Sequence, residues 1–209
     1  MNTQPVVHII DDDEAVLRSL ALLLRSHGHA TRSYASGDQF LARIETIEPG
    51  CAVVDVRMPG IDGMSLMRRL AALDAGLPVV IVTGHADVAL AVQAMKEGAV
   101  DFVEKPYTEE AMLEAVGTAL ARAQNARQSR AAIEQATQRV AALTPREREV
   151  LLRLVEGLPN KVIALDLGIS PRTVEIHRAN VMEKLACRSL AEVIRLATTA
   201  GIGAGIGAG

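Results

Sequence analysis

The sequence predicts an α/β fold built on a doubly wound five-stranded parallel sheet, followed by a small all-α four-helix unit. Short β-branched runs alternate with segments of helical periodicity through the first half of the 209 residues, the pattern of right-handed strand–helix–strand crossovers. Three of these runs are almost continuously apolar, as strands buried on both faces of a sheet should be. Beyond Leu143 the runs stop, and only helix-spaced apolar residues remain, punctuated by Gly and Pro.

Taken in order, the predicted strands cover 6–10, 30–34, 52–55, 78–83 and 100–104. Between them lie Leu17, Leu20 and Leu24, then Phe40, Leu41 and Ile44, then Met64, Met67 and Leu70, then Val88, Val92 and Met95. Each set has the i, i+3 or i+4 spacing of a helix laid against a sheet. Asp13 is read as the N-cap of the first helix. A helix beginning near Glu109 has no clear stop: 115–142 is rich in Ala, Gln and Arg, holds no Pro, and runs on as a linker. Thr144, Pro145 and Glu147 then form a capping box that opens a new domain. Helices follow over 145–156, 160–167, 171–185 and 190–199, with Gly168 making a tight turn and Ser170 capping the third. The organisation is 1–122, a helical linker over 123–142, a helical domain over 143–200, and a Gly/Ala/Ile tail over 201–209 to which no function is assigned.

Composition narrows the function. With no Trp, two Phe and two Tyr, the core must be aliphatic, and stacking of bases on aromatic side chains is not expected as a mode of nucleic-acid binding. The N-terminus lacks a signal-peptide pattern and no apolar run is long enough to span a bilayer, so a cytoplasmic protein with no membrane partner is expected. Cys51 and Cys187 have no metal or redox spacing and read as small hydrophobes. Residues 1–122 carry 10 Lys and Arg against 17 Asp and Glu, a net of −7, whereas 123–209 carry 12 against 8, a net of +4. The basic half is the one suited to nucleic acid.

The chemistry collects at predicted strand ends: Asp11 and Asp12 after the first, Asp55 at the third, Thr83 at the fourth, and Lys105-Pro106 after the fifth. In a parallel sheet, ligands bind at the carboxyl ends of the strands. Carboxylates with room for water suit Mg²⁺, and a carboxylate can also accept a phosphoryl group as an acyl phosphate. Any one of these acids alone is more simply a helix cap; the ordered set is not.

That set, with Val56-Arg57-Met58-Pro59-Gly60 after Asp55 and Gly84 after Thr83, resembles the receiver domain of two-component response regulators, a flavodoxin/CheY-like fold, over about 6–122. The resemblance implies that Asp55 is the phosphoacceptor and that Asp12 binds Mg²⁺ (or Mn²⁺) directly, with Asp11 assisting. It makes Asp55 and the backbone carbonyl of Arg57 the further ligands. Thr83 and Lys105 would hold the phosphoryl oxygens, with a cis Lys105-Pro106 peptide, and Phe102 would be the aromatic switch residue. The implied activity is limited to the receiver's own phosphorylation and dephosphorylation; it is not an enzyme acting on outside substrates.

The helix–Gly turn–helix of 160–178 is as compatible with a plain helical hairpin as with a helix-turn-helix. Leu143-Thr144-Pro145-Arg146-Glu147, Asn160-Lys161-Val162-Ile163-Ala164 and Thr173-Val174-Glu175-Ile176-His177 resemble the LuxR/NarL-type DNA-binding module. By that resemblance Glu175, Ile176 and Ala179 face bases, while Lys161, Arg172, Thr173, His177 and Arg178 meet phosphates or bases. Glu175 stands where some relatives carry Lys. With Thr83-Gly84-His85-Ala86-Asp87-Val88, the whole most resembles the FixJ type, whose members typically activate transcription. The implied partners are a sensor histidine kinase, double-stranded DNA, RNA polymerase and a second copy of the chain when phosphorylated. Two alternatives stay open from the residues: a flavodoxin-like phosphohydrolase or nucleotide-binding enzyme, and a DNA-binding regulator independent of phosphorylation. An acidic loop after the first strand disfavours nucleotide phosphate.

Overall fold

In the computed structural model, which describes residues 4–84 and 88–203, five parallel strands are ordered β2-β1-β3-β4-β5. These are β1 (Val6–Ile10), β2 (Ala30–Tyr34), β3 (Gly50–Asp55), β4 (Val79–Thr83) and β5 (Asp101–Glu104). β1 and β3 are neighbours in a register that pairs Ile10 with Val54, so Asp11 and Asp55 emerge side by side. The strand order reverses there, and the crevice of a doubly wound sheet opens at that point.

Helix α1 (Glu14–Ser26) is capped by Asp13, whose carboxylate accepts from the Ala15 N–H at 2.7 Å, as expected. It buries Leu17, Leu20 and Leu24 against one face of the sheet, beside Met112, Ala115, Val116 and Ala119 of α5 (Glu109–Ala141). The other face is covered by α2 (Gly37–Leu41), α3 (Gly63–Ala72) and α4 (Val88–Lys96). Two details depart from the periodicity. The helix expected through Ile44 stops at Leu41, and Ile44 sits in a 3-10 turn, Ile44–Thr46. In α4 the apolar stripe points outward: Val88, Val92 and Met95 are 79%, 47% and 48% exposed, and the helix packs instead through Ala94, which is fully buried, and Leu90. A small residue permits the closer approach, so spacing alone picked the wrong side of the helix.

The chain divides into two compact units, Met1–Arg127 and Gln128–Gly209, within the course of α5. In the second, α6 (Pro145–Val155), α7 (Asn160–Leu167), α8 (Pro171–Lys184) and α9 (Leu190–Thr199) enclose two small cores. Val140, inside the stretch read as linker, is buried in the first of these, as is Ile202 from the Gly-rich tail, and Ala136 of the same stretch is also buried. The expected capping box opens α6: Thr144 and Glu147 satisfy each other's backbone N–H groups. Gly168 closes α7 at φ 64°, a left-handed conformation that favours glycine. Among the described residues no helix is long and apolar enough to cross a membrane.

Candidate functional site

Three strand ends meet on one cation. Lys105 Nζ donates to Asp11 Oδ2 at 2.7 Å and to Asp55 Oδ1 at 2.6 Å. Asp11 and Asp55 are 4% and 7% exposed, so these are buried acids whose charge must be matched. Each has a second donor: the Asp13 N–H reaches Asp11 Oδ1 at 2.9 Å, and the Arg57 N–H reaches Asp55 Oδ2 at 2.6 Å. The lysine is aimed by its own backbone, whose N–H donates to the Thr83 carbonyl at 2.7 Å, and the Lys105-Pro106 peptide is cis. Burial works against the Lys105 ammonium, but the hydrogen bonds and charges of the two carboxylates outweigh it and hold its pKa above the ordinary value. Thr83 is buried at the end of β4, beside Glu104 of β5, and Phe102 is half-buried against the core on the side of α4.

Asp12 is exposed, and among the described residues no three His, Cys, Asp or Glu side chains gather closely enough to hold an ion. The structure thus brings together Asp11, Asp55, Lys105 and the Thr83 backbone, and leaves the Asp12 carboxylate outside that group. The donor set still suits a hard divalent cation. Two buried carboxylate oxygens already converge on a single positive centre, and a Mg²⁺-type ion needs only one or two protein carboxylates beside water and phosphoryl oxygens.

On the second unit, the 14-residue α8 buries only Val174 and Val181, which leaves much of its surface facing outward. Ser170 caps it, accepting from the Thr173 N–H at 3.1 Å, and the two hydroxyls lie 2.8 Å apart. Arg172, Glu175, Ile176 and Ala179 are exposed, as is Lys161 on α7; Thr173, His177 and Arg178 are half-buried. Arg178 is tied to Asn160 through Nη1, and His177 Nδ1 is buried without a hydrogen-bond partner. The expected contact residues therefore separate into an exposed set and a half-buried set, of which Thr173 is engaged by α8's own cap and Arg178 by α7. The motif residues His85, Ala86 and Asp87 lie outside the described residues.

Residues 7–117 match the family model of the response regulator receiver domain, and 141–197 match that of bacterial regulatory proteins of the luxR family. The transcriptional regulatory protein FixJ of Azorhizobium caulinodans is 50% identical over 196 residues, 94% of this chain and 93% of the relative. That of Bradyrhizobium diazoefficiens is 45% identical, covering 97% and 98%. The chain is a FixJ-type response regulator. Among solved structures, the response regulator StyR superposes with a TM-score of 0.82 at 41% identity, covering 94% of this chain and 99% of that one. Full-length FixJ from B. japonicum gives a TM-score of 0.59 at 45% identity, covering 96% and 98%. The response regulator thus joins a receiver to a LuxR-type DNA-binding domain, as two-component transcription regulators do. Members of the family are typically not enzymes, and receivers generally bind Mg²⁺ at the phosphorylation site.

Two residues of this response regulator's sites escaped the sequence reading. A Cβ on Gly63 would lie 2.3 Å from the Asp55 carbonyl oxygen, so the start of α3 rests directly on the backbone of the buried acid. The only hint in the sequence is a glycine just after Asp62, the cap of α3. Lys184 donates to Glu147 Oε2 at 2.7 Å, tying the end of α8 to the start of α6; nothing in the spacing of two residues so far apart announces the pair.

Proposed function

We propose that Asp55 accepts a phosphoryl group from a sensor histidine kinase and that the resulting charge drives receiver pairing and sequence-specific DNA binding. The observation that carries this is the convergence of Lys105 Nζ on Asp11 and Asp55. An Asp55 oxygen attacks phosphorus, the P–N bond to the kinase imidazole breaks as the P–O bond forms, and the imidazole nitrogen takes up a proton. Arg57 N–H orients the attacking carboxylate, and Lys105 and Thr83 neutralise and bind the phosphoryl oxygens. Asp11, Asp12, Asp55 and the Arg57 carbonyl would hold Mg²⁺ or Mn²⁺, which when bound would supply charge neutralisation at the transferring group.

Phosphorylation adds close to two negative charges and three acceptor oxygens, drawing the Thr83 hydroxyl toward them and letting Phe102 turn inward. The outward stripe of Val88, Val92 and Met95 on α4 is then the pairing surface, since contiguous exposed apolar side chains mark interaction sites. The paired DNA-binding domains place α8 in successive major grooves and engage RNA polymerase in the cytoplasm, activating transcription. Lys161 and Arg172 meet phosphates or base edges, Thr173, His177 and Arg178 lie along the phosphates, and Glu175, Ile176 and Ala179 face bases.

Asp55→Asn should abolish labelling by a phosphodonor with Mg²⁺, together with the donor-dependent shift to a dimer in sizing. Stoichiometric labelling of that variant would move the acceptor elsewhere.

A further inference from the structure

On the outward stripe of α8, the residues free to read DNA have an unusual chemistry. Arg178, the side-chain type that pairs bidentately with guanine, is turned back onto Asn160 of α7. The Thr173 hydroxyl is engaged with Ser170 in the cap. What remains in the middle of the helix is Glu175, Ile176 and Ala179, all exposed, with Ile176 at 55%. Glu175 and Ala179 are one turn apart, and Ile176 and Ala179 three residues apart, so the three form a single patch. Among the described residues no hydrogen bond or ion pair engages the Glu175 carboxylate. It is an acid in a half of the chain with a net charge of +4.

A carboxylate placed among phosphates weakens binding to DNA in general, so it must be offset by a favourable contact at particular bases. Ionised Glu only accepts hydrogen bonds. In the major groove guanine presents two acceptors and thymine one, all repelling it. Adenine pairs its amino donor with an adjacent N7 acceptor that also repels a carboxylate, while cytosine offers the N4 amino group alone. An aliphatic side chain beside it has one favourable major-groove partner, the thymine methyl group. The side chain of Ala179 ends at Cβ and leaves the helix free to approach the groove floor.

We infer that Glu175 and Ile176 are the specificity-determining pair of this response regulator, reading a cytosine N4 amino group and a neighbouring thymine methyl in each half-site. The inference rests on the DNA-binding reading above and gives it base identity. It assigns Glu175 an opposite effect on affinity and on specificity: the carboxylate lowers affinity for arbitrary duplex while sharpening the choice of base.

The test is selection from a randomised duplex pool by the full chain with Mg²⁺ and a phosphate mimic, for the native protein, Glu175→Gln and Ile176→Ala. Both substitutions fall on exposed positions, and unchanged thermal unfolding verifies the fold. The native protein should enrich a cytosine next to a thymine once per half-site. Glu175→Gln should lose about ten- to hundredfold of the preference for cytosine and move toward adenine, the usual partner of glutamine, while its binding to arbitrary duplex rises. Replacing the selected thymine by uracil should weaken the native protein about fourfold, the worth of one buried methyl group, and leave Ile176→Ala unaffected. If the native protein enriches a sequence and Glu175→Gln enriches the same one, the assignment of Glu175 is overturned while DNA binding stands. If no duplex is retained even at low salt, the DNA-binding reading itself falls, and this inference with it.

Discussion

In the strand-end pocket, side chains 50 and 94 positions apart in the chain meet within hydrogen-bond distance, and every buried charge has a partner. On the outward stripe of α8, Glu175, Ile176 and Ala179 are adjacent or one turn apart and, among the described residues, no side-chain hydrogen bond or ion pair engages them. The first site is closed upon itself, its charges already paired within the chain. The second is complete only when another molecule supplies the missing contacts. Removing one member of the pocket should therefore disturb the fold as well as the chemistry, whereas changes on the stripe should disturb binding alone.

The largest effect is expected at Lys105. Lys105→Ala leaves two buried carboxylates without their shared cation and should slow phosphodonor labelling of the receiver by about 10²–10³. The same change should lower stability by about 1–3 kcal/mol in chelator, and Mg²⁺ should restore more of this loss in the variant than it adds to the native protein. Denaturant unfolding with and without the ion measures both, and a variant as stable as the native chain in chelator would break the contrast.

Next is Gly63→Ala. The added methyl must displace the Asp55 backbone, at about 1–3 kcal/mol of stability, and labelling should slow although no charged group has been touched.

In the second unit, Glu147 is 3% exposed, and the Lys184 ammonium, followed by the Thr144 N–H, holds its carboxyl below the usual range. A depressed carboxyl pKa contributes stability that is fully present above the unfolded value of 4.5 and is lost as pH falls through the folded value. Glu147→Gln should cost about 1–2 kcal/mol at neutral pH and flatten the pH dependence of unfolding of this unit below 4.5. Persistence of the native slope in that variant would place the titrating group elsewhere.

The smallest effect sharpens the comparison from the other side. Ile176→Ala should change stability by no more than about 0.5 kcal/mol, as for other exposed positions, and a larger loss in thermal unfolding would mean that α8 leans on that residue.

Asp11, Asp55, Thr83 and Lys105 were legible because each ends an apolar run or follows one, and a parallel sheet can only gather such ends on one side. The register of β1 against β3 then sets Asp11 and Asp55 next to each other. What stayed hidden depends on where side chains go after the backbone is placed. Lys105 bridges two acids and leaves Asp12 outside; Gly63 matters for an atom it lacks; Arg178 turns to Asn160. Periodicity also misjudged α4, since it counts Val88, Val92 and Met95 as core but has no measure of how closely Ala94 lets the helix sit. The stretch over 123–142 read as linker for want of apolar residues, yet Val140 joins a core of small helices and Ala136 is buried.

The two thiols of the chain fall one to each compact unit. Cys51 is fully buried in the central strand β3, and burial pushes its thiol up to about 12; Cys187 lies half-buried at the edge of the second unit's core. Reaction with an alkylating reagent requires a thiolate that solvent can reach. Cys51 will thus react only when the sheet itself opens, while the part-exposed Cys187 reacts in the folded chain. The protein carries a clock and its reference: timed alkylation, read by mass, reports how often the sheet opens against the faster labelling of Cys187, and whether a phosphoryl group changes that rate.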